Sequence, residues 1–222
     1  MVRMTENTAS PVTKARQHGQ DTLRRALLDT ASRLLAEEGP QALTMRRVAT
    51  AAGCSTTVLY TTFGGKEGLA DALYREGFER LGSRLEEAAA TVDGPDDPIA
   101  TATALALAYR AHALADRNYY GVMFQRAIPG FTPSSESLGV GNATLGILAD
   151  AVRDAIAAGI LIPADAEAVA DVLWAAAHGV VSLEIAGHFP DPEVAADRYR
   201  TLTRAALAAF LAGPDSDEFR SP

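Results

Sequence analysis

One cysteine in 222 residues, Cys54, excludes an internal disulfide and fits a chain kept in a reducing cytoplasm. Aromatic residues are scarce, at 6% with a single tryptophan. The sequence lacks any run of β-branched residues alternating with polar ones, which argues against sheet. Its start is polar, without the apolar stretch of a secretory signal. Val172–Leu183 is 12 residues free of Asp, Glu, Lys and Arg, short of the roughly 20 a membrane helix needs. No P-loop and no dinucleotide fingerprint occurs, and Ser182 has no nucleophile-elbow context. Glu184 and His188 share a helical face, but helix geometry turns His178 away from them. The expectation is a cytoplasmic, non-enzymatic chain with no catalytic residue, no metal, no cofactor and no membrane partner.

What is present is Ala-rich sequence with helical periodicity, long enough for one large domain or two small ones. The net charge of −8 divides unevenly. Residues 1–66 hold 9 Lys/Arg against 5 Asp/Glu, a net +4, and residues 67–222 hold 11 against 23, a net −12. A local basic face suffices for nucleic acid, because phosphate neutralisation acts locally, and an acidic remainder resists non-specific adhesion. Chance clustering of charge is the plainer alternative.

Residues 1–20 are polar and read as a disordered arm. A first helix is expected over 21–38, with Leu23, Leu27, Ala31, Leu34 and Leu35 on one face, stopped by Gly39-Pro40. Short helices follow over 44–52 and 55–63, joined by a turn at Gly53. A long helix runs over 66–91, with Leu69, Leu73, Leu81, Leu85 and Val92 along its stripe. After a loop at 93–98, helices are expected over 99–116, 118–127, 138–159, 165–187 and 192–212, with a loop at 129–137 and a flexible tail over 213–222. The chain divides into an arm at 1–20, a first unit at 21–66 and a larger second unit at 67–212. The fold class is all-α: an N-terminal three-helix unit with a helix-turn-helix, plus a larger helical domain, about nine helices together.

Two short helices around a glycine turn form a helix-turn-helix pattern. The second helix must fit the major groove, so its outward face has to be small and polar. Ser55, Thr56, Thr57, Tyr60 and Thr61 supply that face. Arg46 and Arg47 on the preceding helix suit phosphate contacts, and Lys66 suits another. A small three-helix packing unit with a solvated polar face would leave the same pattern.

The stretch Leu43-Thr44-Met45-Arg46-Arg47-Val48-Ala49-Thr50-Ala51-Ala52-Gly53-Cys54-Ser55-Thr56-Thr57-Val58-Leu59-Tyr60-Thr61-Thr62-Phe63-Gly64-Gly65-Lys66-Glu67-Gly68-Leu69 closely resembles the TetR (tetracycline-repressor-type) regulators, over roughly residues 22–70. The resemblance implies a dimer in which each subunit inserts Ser55–Phe63 into a major-groove half-site of double-stranded operator DNA. It implies phosphate contacts by Thr44 and Tyr60 and groove reading by Thr56, Thr57 and Thr61. The sequence departs from the family where Thr62 replaces a frequent His, which puts one phosphate contact in doubt. It departs again where Gly65 replaces a frequent Ser or Asp, although glycine is a tolerable N-cap. A weaker resemblance lies in Trp174-Ala175-Ala176-Ala177-His178-Gly179-Val180-Val181-Ser182-Leu183-Glu184, similar to the C-terminal domain of a TetR subgroup named for a Trp-His-Gly signature.

The resemblance further implies that the last two helices pair with their copies in a homodimer. Tyr199, Leu202, Ala206 and Phe210 form the stripe expected at that interface. Tyr109, His112, Tyr119, Met123, Phe124, Trp174 and His178 combine apolar bulk with a few polar tips, which suits a pocket for a small, largely apolar effector. The resulting expectation is a repressor released from a palindromic operator by a small molecule. An all-helical binding protein that no longer reads DNA, and a catalytic helical domain, are the readings from other classes. A lone Cys54 in the DNA-binding turn reads as a small buried filler.

Overall fold

A computed structural model describes residues 10–92 and 97–213. Residues 1–9 of the expected arm, the heart of the 93–98 loop and the tail beyond Gly213 lie outside the described residues. Among those described there are nine α-helices: α1 Pro11–Glu38, α2 Met45–Ala52, α3 Thr56–Phe63, α4 Lys66–Ala90, α5 Pro98–Ala115, α6 Arg117–Phe124, α7 Ser135–Ala157, α8 Ala166–Ile185 and α9 Pro192–Ala208. A 3₁₀ turn at Pro40–Ala42 links α1 to α2.

Two helix starts differ from the sequence reading. α1 begins at Pro11, not near residue 21, because Ser10 caps it through the Thr13 N–H and Pro11 fills the first turn, where its missing N–H costs nothing. This first stretch is polar all round and exposed, so no periodicity marked it. Leu23, expected on the buried face, is 46% exposed, and burial starts at Leu27. α7 starts at Ser135 within the expected loop, with Ser134 accepting from the Ser137 N–H. Asp71 of α4 then receives hydrogen bonds from the Ser134 N–H at 2.8 Å and the Ser137 hydroxyl at 2.7 Å. Desolvation acts upward on this carboxyl, but those bonds hold it below its usual range.

α4 is the spine, and Leu69, Leu73, Leu81 and Leu85 of its expected stripe are buried, whereas Val92 falls beyond the helix end at Ala90 and is half-buried. One hydrophobic core runs from Leu27 of α1 through α2–α6 to Val181 of α8 and Tyr199 of α9. The 66/67 division therefore crosses a continuous core. A second cluster joins the end of α7, the start of α8 and the end of α9, through Val152, Leu161, Val169 and Leu173, with Leu207 and Phe210 packed against it. Backbone bonds from Ile162 N–H to the Phe210 carbonyl (2.8 Å) and from Ala212 N–H to the Ile160 carbonyl (2.9 Å) fasten the segment after α9 there.

Candidate nucleic-acid interface and ligand cavity

The helix-turn-helix is built by buried anchors beneath a polar exterior. Met45, Val48 and Ala49 of α2 and Leu59 and Phe63 of α3 point inward. Thr44 caps α2 through the Arg47 N–H at 3.2 Å. Gly53 ends α2 at φ 66°, ψ 30°, a left-handed conformation glycine adopts without a Cβ clash. With the core side fixed, Ser55, Thr56, Thr57, Tyr60 and Thr61 all lie exposed, Tyr60 at 55%. Ser55 is the N-cap of α3, yet its side chain makes no capping bond, so the hydroxyl is free to meet another acceptor or donor. Thr62 turns back to the Val58 carbonyl at 2.8 Å and is spent within its own helix.

The two adjacent arginines differ in their commitments. Arg46 is exposed. Arg47 is held by Glu38 at the end of α1, with its Nε 3.0 Å from Oε2 and a second nitrogen on Oε1. The hydrogen bond from Arg47 holds the Glu38 carboxyl below its usual range. Its positive charge is locally balanced, so it is less available to a phosphate than the spacing implied. Lys66 is exposed at the start of α4.

Gly68 carries a constraint the sequence reading passed over. A Cβ there would stand 1.9 Å from the Phe63 carbonyl oxygen. The first turn of α4 thus packs directly on the end of α3. Arg24 of α1 lies over the Phe63 ring, 5.2 Å from its centre, bracing α3 from the other side.

The larger domain contains a cavity of about 590 Å³, within the range of roughly 300–1,000 Å³ typical of small-molecule sites. α4, α5, α7, α8 and α9 contribute to its walls. Of the seven residues expected at the pocket, Tyr109 and Trp174 line it. The Tyr109 hydroxyl lies 2.8 Å from His178 Nδ1, with Tyr120 3.1 Å away and bonded to Ser182 at 2.7 Å. Burial pushes the His178 pKa down, so the ring is neutral, and its Nδ1 lies within hydrogen-bond distance of both tyrosine hydroxyls. His178 therefore stands behind the wall. Phe124 packs with Trp174 and His178 at ring separations of 5.9 and 4.9 Å.

The other three sit farther off. Tyr119 donates to Asp29 of α1 at 3.1 Å, and Arg80 of α4 also holds Asp29 at 2.7 Å while covering the Tyr119 ring. Met123 fills the space left by Gly77. His112 is buried, with Nδ1 3.7 Å from Asp116 and no partner on Nε2. Helical periodicity marks these side chains as inward, but inward at α6 means toward α4 and α1. Thr103, Leu107, Arg200 and Arg204, which carry no core signature, line the cavity instead. Glu184, part of the weighed metal reading, is bound on both oxygens by Arg110 at 2.9 and 2.6 Å.

The expected dimer stripe is mostly internal. Tyr199 is fully buried and donates to the Ala106 carbonyl, and Ala206 and Phe210 pack into the second cluster. Leu202 alone of the four is exposed, at 43%. The apolar residues left outward on these helices are Val172 and Leu183 of α8 and Val194 and Leu202 of α9, with exposed Ala175 and Gly179 between the first two.

Comparison with known proteins agrees with this architecture. Residues 27–73 match the bacterial regulatory proteins, tetR family, and residues 102–210 match the tetracyclin repressor-like C-terminal domain. HTH-type transcriptional regulators of Mycobacterium bovis and Mycobacterium tuberculosis are 22% identical over 87% of this chain and 95% of theirs. A protein of unknown function from Rhodococcus sp. RHA1 superposes with a TM-score of 0.74 at 28% identity, covering 95% of this chain and all of that one. A TetR family transcriptional regulator from Thermus thermophilus shares the fold with a TM-score of 0.63 at 20% identity, over 80% of this chain and 97% of its own.

Proposed function

This chain belongs to the TetR family of bacterial regulatory proteins, and on that footing we propose that it is a homodimeric repressor released from a palindromic operator by a small, largely apolar effector. The observation that carries the reading is the α3 surface: five hydroxyl side chains, Ser55, Thr56, Thr57, Tyr60 and Thr61, exposed together over buried Leu59 and Phe63. Small hydroxyl groups enter a major groove, bond to phosphates and base edges, and place methyl groups against thymine. Arg46 and Lys66 flank that face as phosphate contacts, with Thr44 and Tyr60. Arg47 is a secondary contact because Glu38 balances it. The protein acts in the cytoplasm as a regulator, not as an enzyme, with residues 21–66 serving DNA and 67–212 serving effector and partner.

The dimer pairs α8 and α9 with their copies, through Val172, Ala175, Gly179 and Leu183 with Val194 and Leu202. A second copy suits this face because its small residues permit close helix approach. Two α3 helices are then held about 34–36 Å apart, or a multiple of it, to meet successive grooves. The effector occupies the 590 Å³ cavity and favours a different separation, which requires it to bind the two states unequally. The hydrogen bonds from Tyr119 and Arg80 to Asp29 tie α6 and α4 to the DNA-binding unit and supply the mechanical link.

The test is selection of genomic fragments followed by gel shift with wild type, Tyr60→Phe and Thr56→Ala/Thr57→Ala. A palindromic site is expected. Tyr60→Phe should weaken binding by about 1.5–3 kcal/mol per lost charged hydrogen bond, and the double variant should relax base preference. Absence of any specific site would leave the cavity alone, as in a helical binding protein.

A further inference from the structure

We propose, resting on the effector-cavity reading above, that the ligand is an amphipathic anion whose apolar body fills the cavity and whose charged head is held by Arg200 and Arg204. The inner wall is apolar: Leu105, Leu145, Leu148 and Leu173 surround the space beside Trp174. The exposed lining residues include Thr103 and Leu107 on α5 and Arg200 and Arg204 on α9, and mark the opening. Both arginines line the cavity one helical turn apart on α9, so they project from the same face of that helix.

These cations are little used by the protein itself. Arg200 pairs only with Asp197 on its own helix, at 3.2 Å, and Arg204 makes no ion pair among the described residues. Asp171 of α8 is the only carboxylate lining the cavity among the described residues. With Arg200 already held by Asp197, and Asp171 also in the lining, Arg204 is the cation left over for a ligand head, in a domain whose net charge is −12 over residues 67–222. A purely apolar ligand would make no use of that charge. Guanidinium donors bind carboxylate and phosphate oxygens in paired, directional bonds.

Trp174 is the chain's single tryptophan and lies in the cavity wall, so its fluorescence reads occupancy on the intact, DNA-free protein. Four probes share one alkyl chain: dodecanoate, dodecyl phosphate, dodecanol and dodecyltrimethylammonium. At least one of the two anions should bind about tenfold or more tightly than the alcohol and the cation, and their order distinguishes a carboxylate head from a phosphate head. Arg200→Gln/Arg204→Gln should erase that preference while leaving dodecanol affinity unchanged, and Asp171→Asn should strengthen anion binding. Equal binding of all four probes, preference for the cation, no response from any probe, or a preference that survives the double substitution would overturn the proposal. Gel shift on the same samples separates the two readings. Operator binding without anion preference sinks only the ligand class, and loss of operator recognition sinks the regulator.

Discussion

At the residue scale, identical side chains one position apart acquire different roles. Arg46 and Arg47 are equivalent in sequence, yet Glu38, nine residues earlier in the chain, holds Arg47. Nothing in local spacing announces that pair, because it depends on how α1 meets α2. Histidines show the same dependence on surroundings. His178 and His112 both have lowered pKa values, in each case through burial first. The unfolded chain titrates near the ordinary value of about 6.5, so below that pH the unfolded state binds protons the folded state refuses. Stability therefore rises with pH through the window below about 6.5 and is fully present above it. His178→Gln keeps a hydrogen-bonding group for Tyr109 but removes the titration. Its urea midpoint should fall less steeply between pH 7 and pH 5 than that of wild type. Parallel curves for the two proteins would show that His178 is already accessible to protons in the folded state.

At the scale of elements, the helix-turn-helix and the spine were legible because each carries a strong local pattern. α2, α3 and α4 announce themselves through Thr44, the Gly53 turn and the leucine stripe of 69, 73, 81 and 85. The first turns of α1 were not legible, since a helix exposed on every side has no hydrophobic period. The cavity was half legible. Aromatic residues at helical spacing identified a buried set, and Tyr109 and Trp174 do line the space. The sequence does not say which side of a buried helix faces a void, and Arg200 and Arg204 look like ordinary solvated charge until α9 is seen beside α5. The α3–α4 junction shows what a motif glycine is for. Gly68→Ala pushes a methyl group against the Phe63 carbonyl, which sits 1.9 Å from the added carbon. Backbone must move, so the cost should lie at the upper end of the about 1–3 kcal/mol typical of overpacking. Thermal unfolding should register that loss, and operator affinity should drop with it as α3 shifts on α4. Wild-type stability in this variant would mean the junction is looser than the contact implies.

At the scale of the whole molecule, the proposed function requires two copies holding two α3 helices at one spacing. The sequence stripe of Tyr199, Leu202, Ala206 and Phe210 marked α9 as important but named its inner side, because the same period describes a core face and an interface face. The exposed set on α8 and α9 is the better candidate. A Cβ at Gly179 meets nothing within 4 Å in the protomer, so Gly179→Leu should fold normally. It should block close approach of a partner helix, giving a monomer by analytical ultracentrifugation and weaker, non-cooperative operator binding. An undiminished dimer would move the interface elsewhere. The central claim, that the α2–α3 surface grips DNA, is tested most directly by measuring operator affinity against salt for wild type and Arg46→Ala. Each lost phosphate contact should lower the magnitude of the slope by about 1, so a dimer lacking both copies of Arg46 should lose about 2 while keeping its preferred sequence. A slope that does not change, or an affinity that never depended on salt, would contradict the account.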